Sequence, residues 1–303
     1  ACRHSKDGNG DSVAICFSKR AAGDFANSKI KLSNYSKSTN KKVAVIGSGV
    51  AGLTSARELF RYGHKVDIFE KHKSPGGMLN QGIPIFRLPR KIIEREIRQI
   101  LSLGIKLHLN KNISTFEQLG ALADNYDAVV LAMGTLEANK IDKQFSMCEQ
   151  VEDGLDFLLR TNEYNSKSIG DNVVIIGGGY TSMDCARTAL RLGTKSVRTF
   201  YRRTRGDLVI LPGELEELKK EHGVMKFNAR PNKIIMTTGK LSGLQLIKTR
   251  ITNKGMLEDI RGSEFNIKTD HIILAIGQSQ ELNILSGINN SRNKLSKSQK
   301  SCN

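Results

Sequence analysis

Residues 42–70 read KVAVIGSGVAGLTSARELFRYGHKVDIFE, and the spacing of apolar residues and glycines in this stretch decides the fold. Val43–Ile46 is a short apolar run that stops at a glycine, Val50–Tyr62 has helical periodicity, and Lys65–Phe69 is again strand-like. The stretch therefore predicts a β-α-β unit. Between its first strand and its helix stand Gly47, Ser48, Gly49, Val50, Ala51 and Gly52, a complete G-x-G-x-x-G. In that spacing the first glycine permits a tight turn and the second lets backbone approach a pyrophosphate. The third allows close helix–strand packing, and the helix N-terminus stabilises phosphate charge. Glu70 follows Gly47 by 23 positions, at the end of the next strand, where a carboxylate accepts hydrogen bonds from the ribose hydroxyls of an adenosine. The alternative is a glycine-rich turn with a capping carboxylate.

The same order of signals returns 130 residues later: a buried strand at Val173–Ile176, then Gly177, Gly178, Gly179, Tyr180, Thr181 and Ser182, a helix over Thr181–Leu192, and a strand at Val197–Tyr201. Here Ser182 replaces the third small residue. The charge after the second strand also differs, because Tyr201 is followed by Arg202, Arg203 and Arg205, with no acid until Asp207. A carboxylate there would repel a 2′-phosphate, whereas guanidinium groups pair with it, so the second site is expected to prefer NADPH over NADH. A solvated basic turn is the alternative. Two dinucleotide sites of unlike charge imply one tightly held flavin and one exchanging nicotinamide, an arrangement for hydride transfer in which the cofactors do the chemistry. No catalytic acid–base residue is assigned, since H-E-x-x-H, G-x-S-x-G and paired-carboxylate motifs are absent and the six His are dispersed.

Outward from these units, Arg90–Leu103 places Ile92, Ile93, Ile97, Ile100 and Leu101 on one helical stripe. Strands are expected at Ile105–Leu109, Ala128–Ala132 and His271–Ile276, a helix at Glu214–Glu221, and a hairpin over Ile234–Ile251 around Gly239 and Gly243. Glu137–Ser168 reads as a polar connection with one helical piece, Gly154–Arg160. Residues 1–40 are polar apart from a short amphipathic patch around Ser18–Ala26, and the chain beyond Gly287 is polar and featureless.

A length of 303 residues, 39% apolar and 25% charged, describes a globular protein with room for two domains. No apolar run is long enough to span a bilayer and no secretory signal is present, so no membrane is expected and the default address is cytoplasmic. Five cysteines with no C-x-x-C support neither a disulfide framework, a metal site nor a dithiol pair. The net charge of +17 alone suggests a polyanion. However, residues 1–40 carry seven Lys and Arg against three Asp, and residues 289–303 carry four against none, so about half the excess sits in segments that read as unfolded. With no Trp and few aromatics for base stacking, no nucleic acid is expected as partner.

The run Gly76-Gly77-Met78-Leu79, then Gly82-Ile83-Pro84 and Phe86-Arg87-Leu88-Pro89, together with Gly177 to Asp184 and Tyr201-Arg202-Arg203, resembles the flavin reductase module of the glutamate synthase small subunit. The module recurs in dihydropyrimidine dehydrogenase and NADPH:ferredoxin oxidoreductases, and the match covers about residues 40–285. The resemblance implies an α/β fold of two Rossmann-like dinucleotide-binding domains, a flavin domain interrupted by an NADPH domain. FAD would be held by Gly47 to Gly52, Glu70, the loop through Gly77 and Met78, Arg87, and the backbone near Ile113. NADPH would be held by Gly178 to Thr181, by Arg202 and Arg203, and by the turn Ala275, Ile276, Gly277. Surface ion pairing for Arg87, plain core for Met78 and Ile113, and a helix-orienting role for Asp184 are the alternatives.

Electrons would leave toward an iron–sulfur protein, a ferredoxin or a partner like the glutamate synthase large subunit. On this reading residues 1–40 are the remnant of an iron–sulfur segment, its helix at Ser12–Phe25, plus a linker. Residues 41–150 are the first part of the flavin domain, 151–277 the NADPH domain, and 278–303 a disordered tail. Departures are Met133, where the family commonly has Thr, Tyr180, where small polar residues are usual, and the missing flavin-closing segment with its G-D motif. Cys2 alone cannot ligate a cluster. The missing initial Met and the early stop imply a fragment, and a truncated, non-catalytic nucleotide- or partner-binding remnant stands as the alternative function.

Overall fold

In this computed structural model residues 12–25, 36–135, 137–164 and 169–279 are described, together with Gly8, Gly10 and Ile284. Cys2 and the segment after Gly287 lie outside the described residues. Helix α1 (Ile15–Phe25) forms where the amphipathic patch predicts it, and none of its residues is buried.

The first unit runs β1 (Lys42–Ile46), α2 (Val50–Arg61), β2 (Lys65–Phe69), α3 (Met78–Gln81), α4 (Arg90–Leu101), β3 (Lys106–His108), α5 (Phe116–Asn125) and β4 (Ala128–Leu131). Its strands are parallel in the order β3-β2-β1-β4. Strand β1 leads to β2 and β3 on one side while β4 joins on the other, so the chain reverses direction across the sheet beside β1. That is the crevice in which open α/β sheets bind ligands. Val45 and Ile68 from the sheet, Leu53 and Ala56 from α2, and Ile93 and Ile97 from α4 form one buried cluster. Ile92, Ile100 and Leu101 complete the stripe only half-buried. No apolar stripe announces α5; it starts on a reciprocal capping box between Thr115 and Gln118.

The second unit runs β5 (Glu137–Ala138), α6 (Lys143–Ser146), β6 (Val151–Asp153), α7 (Gly154–Tyr164), β7 (Asn172–Ile176), α8 (Tyr180–Arg191), β8 (Ser196–Tyr201), α9 (Pro212–Lys220), β9 (Val224–Phe227), β10 (Ala229–Thr237), β11 (Lys240–Ile251), β12 (Leu257–Asp259), β13 (Phe265–Lys268), β14 (His271–Leu274) and β15 (Gln278–Ser279). The stretch expected as a polar connection thus supplies β5, α6 and the sheet strand β6. A strand this short, with three half-buried residues, leaves no apolar run to detect. Parallel strands in the order β6-β14-β7-β8-β9 repeat the reversal beside β7. Both faces of this sheet are covered, as parallel sheets require. Val173, Ile175 and Ile273 pack against α7, α8 and α9, while Val174, Ile176 and Ile272 pack against the antiparallel strands β10, β11 and β13. The expected hairpin is β10 and β11, joined by β12 and β13 on its far edge. No helix among the described residues is long and apolar enough to cross a membrane.

Candidate dinucleotide-binding sites

Each glycine turn is fixed by the same two backbone hydrogen bonds. Gly47 N–H donates to Phe69 O (2.8 Å) and Ala132 N–H to Ile46 O (2.8 Å); at the second turn Gly177 donates to Phe200 O (3.0 Å) and Ala275 to Ile176 O (2.8 Å). Gly47 takes φ +99°, and a Cβ there would lie 2.3 Å from Ala132 O; one on Gly177 would lie 2.3 Å from Ala275 O. The residues Ala275, Ile276 and Gly277 therefore stand against the second turn as Ala132 and Met133 stand against the first. Helices α2 and α8 begin at Gly49 and Gly179 with no side-chain cap, and Val50 and Tyr180 at their first positions are exposed. Uncapped first-turn amides facing an open crevice suit a phosphate.

Around the first turn, Glu70 is 4% exposed. Its Oε2 accepts from Ser48 N–H (2.9 Å) and the Ser48 hydroxyl (2.6 Å), and its Oε1 accepts from His72 N–H (2.9 Å). An ionised carboxylate has about four acceptor positions, so one is left free. Gly77, at φ +52°, brings its loop so close that a Cβ there would sit 2.7 Å from Gly49 Cα. Met78 begins α3 directly beside this contact and is 39% exposed. Ile113 is half-buried, just beyond Lys111, whose N–H donates to Glu70 O at 2.8 Å. Gly47 to Gly52, Glu70, Gly77, Met78 and Ile113 thus come together around one crevice.

At the second turn the contents differ. A Cβ on Gly178 would meet the Tyr201 ring at 2.4 Å, and the Tyr201 hydroxyl donates to Asp207 O at 3.1 Å. Arg202 is exposed and Arg203 half-exposed, and neither makes an ion pair among the described residues. Asp207, the one acid of this turn, is folded back on its own loop: Oδ2 accepts from Thr204 Oγ1 (2.5 Å) and Thr204 N–H (3.0 Å). The Thr204 hydroxyl first, and then the charge of Arg203, hold its carboxyl below the usual range. Tyr180 accepts from Leu211 N–H at 3.1 Å, tying the start of α8 to the segment before α9. Thr181 follows in the first turn of α8.

Arg87 lies further along the same segment, after Pro84. Its guanidinium reaches across to the second unit, with Nε donating to Asp184 on α8 and Nη1 to Glu214 on α9 (2.8 Å); Nη2 donates to the other Glu214 oxygen. Burial pulls Arg87 down, but the hydrogen bonds and charges of Glu214 and Asp184 outweigh it and its pKa is raised. Burial pushes Asp184 up to about 6 against the pull of Arg87. Next to it the Phe86 ring lies under Arg187 (4.9 Å) and Arg191 (4.2 Å). Asn162 on α7 donates to Gln81 O at 2.7 Å. The loop that carries Gly77 and Met78 is therefore gripped by three helices of the second unit. The sequence offers ion pairing for Arg87 as an alternative but names no partner for it, and it gives no sign of the Ser48–Glu70 contact; of the Arg87 partners only Asp184 lies within a motif, Gly177 to Asp184. Among the described residues no group of three His, Cys, Asp or Glu side chains is placed to hold a metal ion.

Two Rossmann-like α/β units, each with a glycine turn at a reversal point and joined through a shared loop, define a paired dinucleotide-binding fold. Residues 41–222 match the family model of pyridine nucleotide-disulphide oxidoreductases, and the chain belongs to that family. It is 35% identical over 265 residues to the glutamate synthase [NADPH] small chain of Escherichia coli, covering 80% of this chain and 55% of that one. It is 30% identical over 290 residues to the NADPH-Fe(3+) oxidoreductase subunit beta of Geobacter sulfurreducens, covering 91% and 43%. Among solved structures, FprA of Mycobacterium tuberculosis in complex with NADPH superposes with a TM-score of 0.64 at 18% identity, covering 79% of this chain and 71% of that one. The chain spans about half the length, or less, of the curated relatives it matches.

Proposed function

We propose that the chain is the nucleotide-binding part of an NADPH-dependent flavin oxidoreductase, with FAD at the turn Gly47–Gly52 and NADPH at the turn Gly177–Ser182. Together the two cofactors would supply hydride transfer and onward electron release to an iron–sulfur partner, a ferredoxin or a protein like the glutamate synthase large subunit. The observation that carries the reading is the opposite chemistry of the two strand ends: a buried carboxylate at Glu70, and arginines at 202 and 203 that make no ion pair among the described residues.

At the first site the Ser48 contacts hold Glu70 in place, and its remaining acceptor position faces a ribose hydroxyl. Gly49 and Gly77 keep the crevice narrow but free of side chains, so the amides that open α2 reach a pyrophosphate. Met78 and the Ile113 backbone border the same crevice. At the second site the first turn of α8, through Thr181, takes the pyrophosphate, Arg202 and Arg203 take the 2′-phosphate, and the Ala275–Gly277 turn closes the far side. Arg87 serves as a positioning residue: its pairs with Asp184 and Glu214 hold the Gly77–Met78 loop at a fixed place against the second unit. The names of the glutamate synthase and iron oxidoreductase relatives, both NADPH-linked, support this reading.

The test is a visible spectrum of the purified chain, before and after incubation with FAD, followed by anaerobic NADPH. Retained flavin bleached by NADPH supports the proposal. A protein that retains no flavin after reconstitution defeats it and leaves a nucleotide-binding remnant. Replacing Arg202 and Arg203 with Ala should weaken NADPH by about tenfold or more while leaving NADH unchanged; equal losses for both would make the pair structural.

A further inference from the structure

Between the β8–β9 edge of the second sheet and the β10–β13 strands lies a cavity of about 660 Å³ that neither glycine turn lines. It falls within the roughly 300–1,000 Å³ of small-molecule pockets. Its floor is apolar: Phe200 and Phe265 lie 6.4 Å apart between ring centroids, with Ala229 and Ile267 beside them. Its charged lining residues are Arg198, Lys226, Lys248 and Arg250, with no Asp or Glu among the lining residues. Arg250 pairs with Glu258 at 3.2 Å, whereas Lys226 and Lys248 are exposed and make no ion pair among the described residues.

Arg198 is the informative group. It alternates along β8 onto the same face as Phe200, beside the floor. One terminal nitrogen donates to Lys268 O, but its Nε is buried with no acceptor. The Nε itself is closed off from the cavity, so what the group offers there is its charge, which with Lys226 and Lys248 and no lining acid favours a carboxylate or phosphate. No glycine and no helix start lines the cavity, so it lacks the backbone cradle of a pyrophosphate site.

We propose that this cavity is a separate binding site for an amphipathic anion, a single carboxylate or phosphate head on an apolar chain or ring. The head meets the cationic edge formed by Lys226, Lys248 and the Arg198 guanidinium, and the apolar body lies on Phe200 and Phe265. The site shares a wall with the arginine turn: the Thr249 hydroxyl donates to Arg202 O at 2.7 Å, and Asn228 N–H to Arg203 O at 3.2 Å.

Calorimetric titration of the full chain with decanoate, decyl phosphate and uncharged decanol, each below its aggregation limit, tests the proposal without FAD or NADPH. Its outcome is thus separate from that of the flavin reading. Saturable one-to-one binding of either anion, with decanol about tenfold weaker or worse, is expected; which anion binds tighter identifies the head group. Equal binding of decanol, or no saturable binding of either anion, overturns the proposal. Arg198→Met should weaken the anion by about tenfold while leaving decanol unchanged, and unchanged anion affinity in the folded variant overturns it. If that variant does not fold, the paired exposed substitutions Lys226→Gln and Lys248→Gln carry the test, a loss of anion affinity supporting the site and none refuting it.

Discussion

At the first glycine turn, Ser48 is held by the buried carboxylate of Glu70; at the matching position of the second, Gly178 lies under the ring of Tyr201. The two backbone hydrogen bonds that fix each turn correspond, so the scaffold is common; the first turn adds a bond from Gly76 N–H to Ser48 O, and the remaining difference lies in side chains. A serine with a carboxylate makes a polar clasp, which fixes the end of β2 and places a carboxylate beside the turn. A glycine under an aromatic ring makes an apolar contact with no acceptor, and the arginines after it turn outward. One scaffold is thereby committed to two electrostatic environments by residues that touch each other across it. The third fingerprint position differs as well. A Cβ on Gly52 would lie 1.9 Å from Gly47 O, whereas Ser182 is accommodated, its hydroxyl donating to Gly179 O at 2.7 Å.

That contrast can be broken most severely at Gly52. Gly52→Ala pushes α2 off β1 and should cost about 3 kcal/mol, read as a lower urea midpoint; a loss under 1 kcal/mol would show that the helix has slack. Glu70→Gln replaces an acceptor pair with one that also presents an N–H₂ to donors, at about 2 kcal/mol. Fluorescence of bound FAD should fall with it, and a variant of native stability and flavin content would remove Glu70 from the site.

The two helices after the turns also separate by pH, because α8 carries buried Asp184. Its folded value of about 6 lies above its ordinary 3.8. The stability gained from its proton is therefore fully present below about 3.8 and lost as pH rises through about 6. The slope is at most about 1.4 kcal/mol per pH unit. Urea unfolding of the native chain and Asp184→Asn between pH 4 and 7 should show the variant gaining on the native chain as pH rises. Parallel curves would mean that Arg87 keeps Asp184 ionised throughout. Smallest of all, Ser182→Ala loses one hydroxyl hydrogen bond and should cost about 1 kcal/mol; a loss as large as that at Gly52 would erase the distinction between the helices.

How much of this was legible in the sequence follows from distance along the chain. The units β1-α2-β2 and β7-α8-β8 each carry strand, glycine and helix signals within about thirty residues, and both form where the pattern places them. The same holds for α4, α9 and the β10–β11 hairpin. Strands β6, β9, β12 and β13 are short and at most half-buried, so they offer no apolar run; they exist because neighbouring strands and the opposing layer offer them partners. The site was legible as a set of turns but not as a set of contacts. Asp184 and Glu214 stand 97 and 127 positions from Arg87, and no local pattern announces a partner at that separation.

The short strands β5 and β15 pair antiparallel, Ala138 beside Gln278, and Asn139 N–H donates to Gly277 O at 3.0 Å. The described start and end of the second unit therefore lie side by side. A segment whose two ends meet within one hydrogen bond can be lifted out, or exchanged for another nucleotide-binding unit of equal ends, without opening the sheet it leaves behind.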